Sequence, residues 1–119
     1  MKTTNQKDSK LAVVYARTST TRGSVVLKAQ LEAVKAYAKK HGYIIQDFYI
    51  DMSSEKDPNN RPMLKSLLED AEKNNWGIVI ISTRDRLSRN PIANERVEDE
   101  LKRNGVKIIS LDDSNQGIS

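Results

Sequence analysis

The sequence predicts a single α/β domain built on a mainly parallel sheet of four to five strands with helices on both faces. Three observations carry that expectation. Four apolar runs of strand length alternate with three segments whose apolar residues recur at a helical period. The first run is nearly continuous in hydrophobicity, as a strand covered on both faces should be. The chain has 119 residues, enough for one core and too few for two.

The first strand is Leu11-Ala-Val-Val-Tyr-Ala16. From Val25 to Lys40, Leu27, Leu31, Val34 and Ala38 mark the inner face of a helix, with Lys28, Lys35 and Lys39 turned outward. Gly42 stops that helix, and His41 in its last turn is expected to serve the terminal carbonyls and the helix dipole. Tyr43 to Ile50 reads as the second strand, followed by the polar loop 51–60. Pro62 fits the first position of a second helix, with Asn60 or Arg61 as its cap. Met63, Leu64, Leu67, Leu68 and Ala71 form its apolar stripe, which ends near Asn74-Asn75. Trp76-Gly-Ile-Val-Ile-Ile81 is the strongest strand. Asn90-Pro91 repeats the cap-then-proline signal and opens a helix with Ala93, Val97 and Leu101 inward, ended by Arg103-Asn-Gly105. Val106 to Leu111 is the fourth strand, and 112–119 reads as an unpacked exit.

Composition removes several classes of chemistry. Without cysteine there is no disulfide framework, thiolate nucleophile or Cys-ligated metal, and a single histidine, His41, cannot build a multi-histidine site. No apolar run approaches the ~18 residues of a membrane span, and the polar stretch Met1–Lys10 is not a signal peptide. The net charge of +4 tilts mildly toward an anionic partner. The distribution says more: residues 1–50 hold 9 Lys and Arg against 3 Asp and Glu, whereas the remainder holds 11 against 13.

In a parallel sheet with right-handed crossovers, every strand-to-helix loop emerges at the carboxyl edge. That topology gathers Arg17, Arg22, Arg61, Arg84, Arg86 and Arg89 near one rim, beside the hydroxyls of 18–21. Guanidinium forks pair bidentately with phosphate, so a clustered set of this kind points to a phosphate-bearing substrate. Read singly, the same residues have plainer uses. Ser19 with its threonines could cap the next helix, Arg84, Arg86 and Arg89 could pair with Asp85 and Glu95, Ser82 and Ser88 could be local caps, and Tyr15 reads as packing.

Taken in order, Tyr15-Ala-Arg-Thr-Ser19, Gln30, Asp51, Arg61-Pro-Met-Leu64 and Asp85-Arg-Leu-Ser-Arg89-Asn resemble the catalytic domain of serine site-specific recombinases, the resolvase and invertase group. The Arg-Pro-x-Leu and Asp-Arg-Leu-x-Arg-Asn segments resemble the large-serine-recombinase branch. The likeness spans about 11–111, so the whole chain, 1–119, is expected to be one catalytic domain whose DNA-binding region is absent. It implies that Ser19 attacks a DNA phosphodiester, joins the 5′ phosphate and releases a 3′ hydroxyl. Arg17, Arg86 and Arg89 would stabilise the transition state, with Arg61 in the same network. Asp85 would orient an arginine or move a proton, Gln30 would bond near the scissile phosphate, and Asp51 would position arginines or help proton traffic. The likeness further implies no metal and no cofactor, a double-stranded DNA partner, homo-oligomers (a dimer, and a tetramer at synapsis), no membrane, and a cytoplasmic location. One departure is that the loop after Asp51 reads Met-Ser-Ser-Glu55, without the glycines common in large family members, which leaves Ser53 and Ser54 without an assigned role. The competing expectations are a flavodoxin-like phosphate- or nucleotide-binding regulatory domain and a metal-dependent nuclease using Asp51, Asp57 and Asp85. The first lacks a glycine-rich cradle, and the second lacks ligand spacing.

Overall fold

The computed structural model describes residues 7–18, 23–52, 61–87 and 90–112. Among them a four-stranded, wholly parallel sheet has the order β2-β1-β3-β4, formed by β1 (Asp8–Thr18), β2 (Ile44–Met52), β3 (Trp76–Ile81) and β4 (Lys107–Ser110). Three helices connect them: α1 (Gly23–His41), α2 (Pro62–Lys73) and α3 (Pro91–Arg103). A 3₁₀ turn, Arg84–Arg86, follows β3. None of the described helices is long and apolar enough to cross a membrane.

The alternation of side chains along β1 divides the core. Ala12 and Val14 pack with Val34 and Ala38 of α1, together with Ile78, Ile80 and Ile109. Val13 and Tyr15 face the other way, onto Leu64, Leu67 and Ala71 of α2 and Leu101 of α3, around Trp76. One helix therefore covers one face and two cover the other. Because β1 leads into α1 on the first face and β3 leads into α3 on the second, the strand order reverses between β1 and β3. In open α/β sheets that reversal leaves a crevice beyond the carboxyl ends of the two strands.

Most element boundaries agree with the sequence expectation, and the exceptions have reasons. β2 runs on to Met52 because β1 pairs with it as far as Thr18. β4 stops at Ser110, and Leu111 and Asp112 begin a helical turn, in place of the strand end and exit expected there. α3 is capped by Asn90, whose side chain accepts from the Ile92 and Ala93 amides. Beyond its end at Arg103 the chain turns through Gly105, where φ is +78°, and the Val106 amide donates to the Leu101 carbonyl at 2.9 Å. At the opposite edge from the crevice, the half-buried Lys7 ammonium donates to the Ala71 and Asn74 carbonyls at the end of α2, and burial lowers its pKa. The His41 ring lies against Tyr37, with centroids 4.2 Å apart, and near Tyr43, so its described contacts are aromatic where carbonyl contacts were expected.

Gly77 in β3 is required by close approach. A Cβ there would lie 2.9 Å from the main-chain oxygen of Asp8, which cannot swing aside as a flexible side chain would. Gly77→Ala is expected to destabilise the domain by about 1–3 kcal/mol, as other over-packed sites do. Urea unfolding with an unchanged midpoint would show that the start of β1 yields freely.

Candidate active site at the carboxyl edge

Among the described residues, most of the buried polar groups lie at the carboxyl edge of the sheet, at and beside the end of β1. Arg17 and Thr18, at the end of β1, are both buried, as are Gln30 of α1 and Asp51 of β2. Arg17 Nε donates to the Arg86 carbonyl at 3.3 Å, and Arg86 Nη1 donates back to the Arg17 carbonyl at 3.2 Å. Gln30 Nε2 donates to that same Arg17 carbonyl at 3.0 Å. The two arginines are thus cross-braced through main-chain oxygens, and a helix from the other face holds the same point. Gln30 Oε1 is buried without a hydrogen bond among the described residues.

Asp51 anchors the neighbouring part of the edge. Its Oδ2 accepts from the Tyr15 hydroxyl and from the Leu64 amide, both at 2.9 Å, and its Oδ1 accepts from the Met63 amide at 2.9 Å. The carboxylate therefore caps α2 from another strand. Arg61 occupies the N-cap position, as expected, but its side chain makes no cap hydrogen bond, and that work falls to Asp51. Asn60, the other candidate cap, lies outside the described residues. The half-buried Arg61 has its pKa lowered by burial, with Arg17 adding to the lowering and Tyr15 and Asp51 opposing it. Arginine stays charged in spite of this. Its Nε is buried with no partner among the described residues. Guanidinium groups gathered in a partly desolvated crevice make a stronger field than the same charges would in water.

Arg17, Arg61 and Arg86 are therefore brought to one edge together with Gln30 and Asp51. Asp85 sits within the 3₁₀ turn beside Arg86, although its side chain is not among those described. Arg84 is turned away: Nη1 lies 3.5 Å from Glu98 of α3. That partner lies one helical turn beyond Glu95, the one the sequence suggested, and the surface pair contributes at most about 1 kcal/mol. Ser19, Arg22, Ser53, Ser54, Asp57, Ser88 and Arg89 lie outside the described residues. No group of three or more potential metal ligands occurs among the described residues.

The contact that sequence reasoning missed is between Tyr15 and Asp51. Two signals pointed to it. Tyr15 shares the strand parity of Arg17, so both side chains lie on the α2 side of the sheet. The start of α2 also carries no Ser, Thr, Asp or Asn at position 61, so its orphan amides need an acceptor from elsewhere.

The sequence profile described as "Resolvase, N terminal domain" matches residues 12–118. Among solved structures, the chain is similar to the C-terminal catalytic domain of ISC1926 TnpA, an IS607-like serine recombinase. There the identity is 29%, the TM-score is 0.75, and the match covers 85% of this chain and 70% of that one. It is also similar to the N-terminal catalytic domain of TP901-1 integrase, at 27% identity and a TM-score of 0.77, covering 88% and 79%. A resolvase family site-specific recombinase from Streptococcus pneumoniae shares the fold, at 23% identity and a TM-score of 0.76, covering 87% and 72%. No curated protein matches the chain. The fold is that of a serine-recombinase catalytic domain, the class of DNA-cleaving enzyme that carries out site-specific recombination. The chain belongs to the resolvase family.

Burial, followed by the charge and hydrogen bond of Asp51, raises the pKa of Tyr15. Tyr49 is raised likewise by burial and by its 2.6 Å bond to Asp70. The unfolded chain gives up these protons near the ordinary tyrosine value of about 10, and the folded chain keeps them beyond it. Above that pH the unfolded state binds fewer protons, so stability present at neutral pH is lost as pH rises. The urea midpoint is expected to fall on going from about pH 9 to 11, and to fall less in Tyr15→Phe. Comparing the two proteins separates Tyr15 from Lys7 and other groups that titrate in this range, and identical slopes would refute the assignment.

Proposed function

We propose that this domain cleaves and rejoins DNA strands through a covalent 5′-phosphoserine intermediate at Ser19, as the resolvase family does. The observation that supports this most is the convergence of Arg17, Arg86 and Arg61 at the carboxyl end of β1, the strand that Ser19 directly follows in sequence. The Ser19 hydroxyl loses its proton as its oxygen bonds to phosphorus, and the bond from phosphorus to the 3′ oxygen breaks. That oxygen takes up a proton and leaves as a 3′ hydroxyl. Because one phosphoester replaces another, the step is reversible, and attack by a 3′ hydroxyl on the phosphoserine reseals the strand and frees the serine. The transition state spreads negative charge over the non-bridging oxygens, and the arginines supply preorganised donors for it. Serine needs such surroundings to act as a nucleophile.

Roles follow from position and from the family pattern. Arg17 and Arg86 stabilise the phosphoryl oxygens, with Arg89 as the family's further arginine. Asp85 orients an arginine or carries a proton to the leaving oxygen, and Gln30 and Arg61 hold the phosphate's surroundings. Asp51 acts by fixing α2. Double-stranded DNA is the substrate, homo-oligomers bring the cleavage sites together, the reaction needs no metal or cofactor, and it takes place in the cytoplasm.

Ser19→Ala in the full-length protein is expected to abolish cleavage while leaving DNA affinity nearly unchanged, since the hydroxyl serves bond making rather than docking. Trapping of a phosphoserine–DNA species on a nicked substrate, in the wild type alone, is the matching check. Persistent cleavage by the alanine variant overturns the assignment. Arg17→Lys and Arg86→Lys are each expected to lose on the order of 100- to 1000-fold in cleavage rate, because an ammonium cannot span two phosphate oxygens as a fork does. Wild-type rates in either would reduce that arginine to a surface charge.

A further inference from the structure

We propose that the amino edge of the sheet carries a second nucleic-acid site, which holds a single strand with its bases against His41 and Tyr43 and its phosphates on Lys10 and Lys107. The proposal does not depend on the chemistry at Ser19.

The fold opens a cleft of about 540 Å³ at this edge. That volume lies in the range of small-ligand sites, roughly 300–1,000 Å³. The cleft crosses the starts of the strands in their order in the sheet: Tyr43 just before β2, Lys10 on β1, Ile78 on β3 and Lys107 on β4. At ~4.8 Å per strand spacing, its two ends lie ~14 Å apart. Ile78 and Ile109 pack on the α1 side of the sheet. Lys107 shares the strand parity of Ile109, so it belongs to that same side, where α1 ends at His41.

The charge of the cleft is one-sided. Lys10 and Lys107 are exposed, and no Asp or Glu is among the described residues that line it. Asp8, the nearest acid in sequence, has its Oδ1 on the Lys10 amide. Lys7 also lines the cleft, but its ammonium is committed to the Ala71 and Asn74 carbonyls, so it shapes the floor and binds no ligand. The basic excess of the first fifty residues finds a use here. Among their described basic residues, Arg17 alone joins the buried cluster at the carboxyl edge, while Lys7, Lys10, Lys39 and Lys40 lie toward the amino edge.

The other wall is aromatic. His41 and Tyr43 line it with their ring planes 22° apart, and the exposed His41 is held against Tyr37. Lysines alone would accept any phosphate. Rings beside them add a surface for flat, apolar groups, and proteins hold single-stranded nucleic acid by that combination. In a duplex the base faces are stacked on one another and out of reach, so a single strand is the form that satisfies both walls. Along β1, at ~3.3 Å per residue, Lys10 lies ~23 Å from Arg17, so a strand held here leaves the cleavage crevice open.

The test uses the full-length protein with excess unlabelled duplex present, so that duplex-binding surfaces are occupied. Photo-crosslinking with an iodouracil-substituted single strand is expected to label the peptide that carries His41 and Tyr43. Crosslinks found only elsewhere overturn the proposal. In fluorescence anisotropy with a labelled oligothymidylate, His41→Ala is expected to weaken binding about tenfold, and wild-type affinity in that variant removes the aromatic wall from the site. Lys10→Gln combined with Lys107→Gln is expected to flatten the dependence of log affinity on log salt by about 1.4, at ~0.7 per phosphate contact. Lys28→Gln combined with Lys65→Gln removes the same charge from exposed helix positions and should leave that slope unchanged. Equal flattening by the two pairs would mean diffuse attraction and overturn the site. Thymidine monophosphate and inorganic phosphate should each displace the strand only at about 100-fold higher concentration or more. Displacement by either at a concentration equal to that of the strand would reveal a free-nucleotide or bare-anion site in place of the one proposed.

Discussion

The central position of β1 governs the rest of the molecule. It is paired in parallel on both sides, and every residue from Ala12 to Thr18 is buried. A strand enclosed in this way must be covered on both faces, so α1 packs on one side and α2 and α3 on the other. Ala12 and Ala16 keep the α1 face of the strand shallow, whereas Tyr15 gives the opposite face its bulk. Parallel pairing also delivers the ends of β1, β2 and β3 to a single edge. Arg17, Asp51 and the turn at Arg84–Arg86 therefore come together although they are distant in sequence.

Burying arginine near the end of such a strand is costly unless its donors are met. The structure meets those of Arg17 and Arg86 partly with each other's main-chain carbonyls. These two contacts use neutral main-chain acceptors, so they orient the guanidinium groups without offsetting their positive charge. Asp51 is treated the opposite way. Its charge is absorbed by two amides and a phenol, so it fixes a helix more than it offsets the arginines.

Much of this was legible in the sequence. The periodicity of Leu31, Val34 and Ala38, the continuous run Trp76–Ile81 and the Asn90-Pro91 signal each reflect local forces, and each gave the observed element. The collection of Arg17, Arg61 and Arg86 at one edge followed from topology alone. What stayed hidden depends on contacts distant in sequence. Arg17 and Arg86 are 69 residues apart, and no local pattern encodes their exchange of hydrogen bonds. The ion pair of Arg84 with Glu98, fourteen residues away on α3, likewise had no local signal that distinguished it from one with Glu95. Tyr15 reads as core because most of its atoms are core, and only its hydroxyl does other work.

The oxygen on which Gln30 and Arg86 converge belongs to the peptide of Arg17, not to a side chain. Any amino acid at that position would supply the same acceptor, so mutation cannot delete it and selection cannot act on it directly. Variation among related chains must then fall on the donors. The most constrained point in the crevice is thus one that a comparison of residues would never mark.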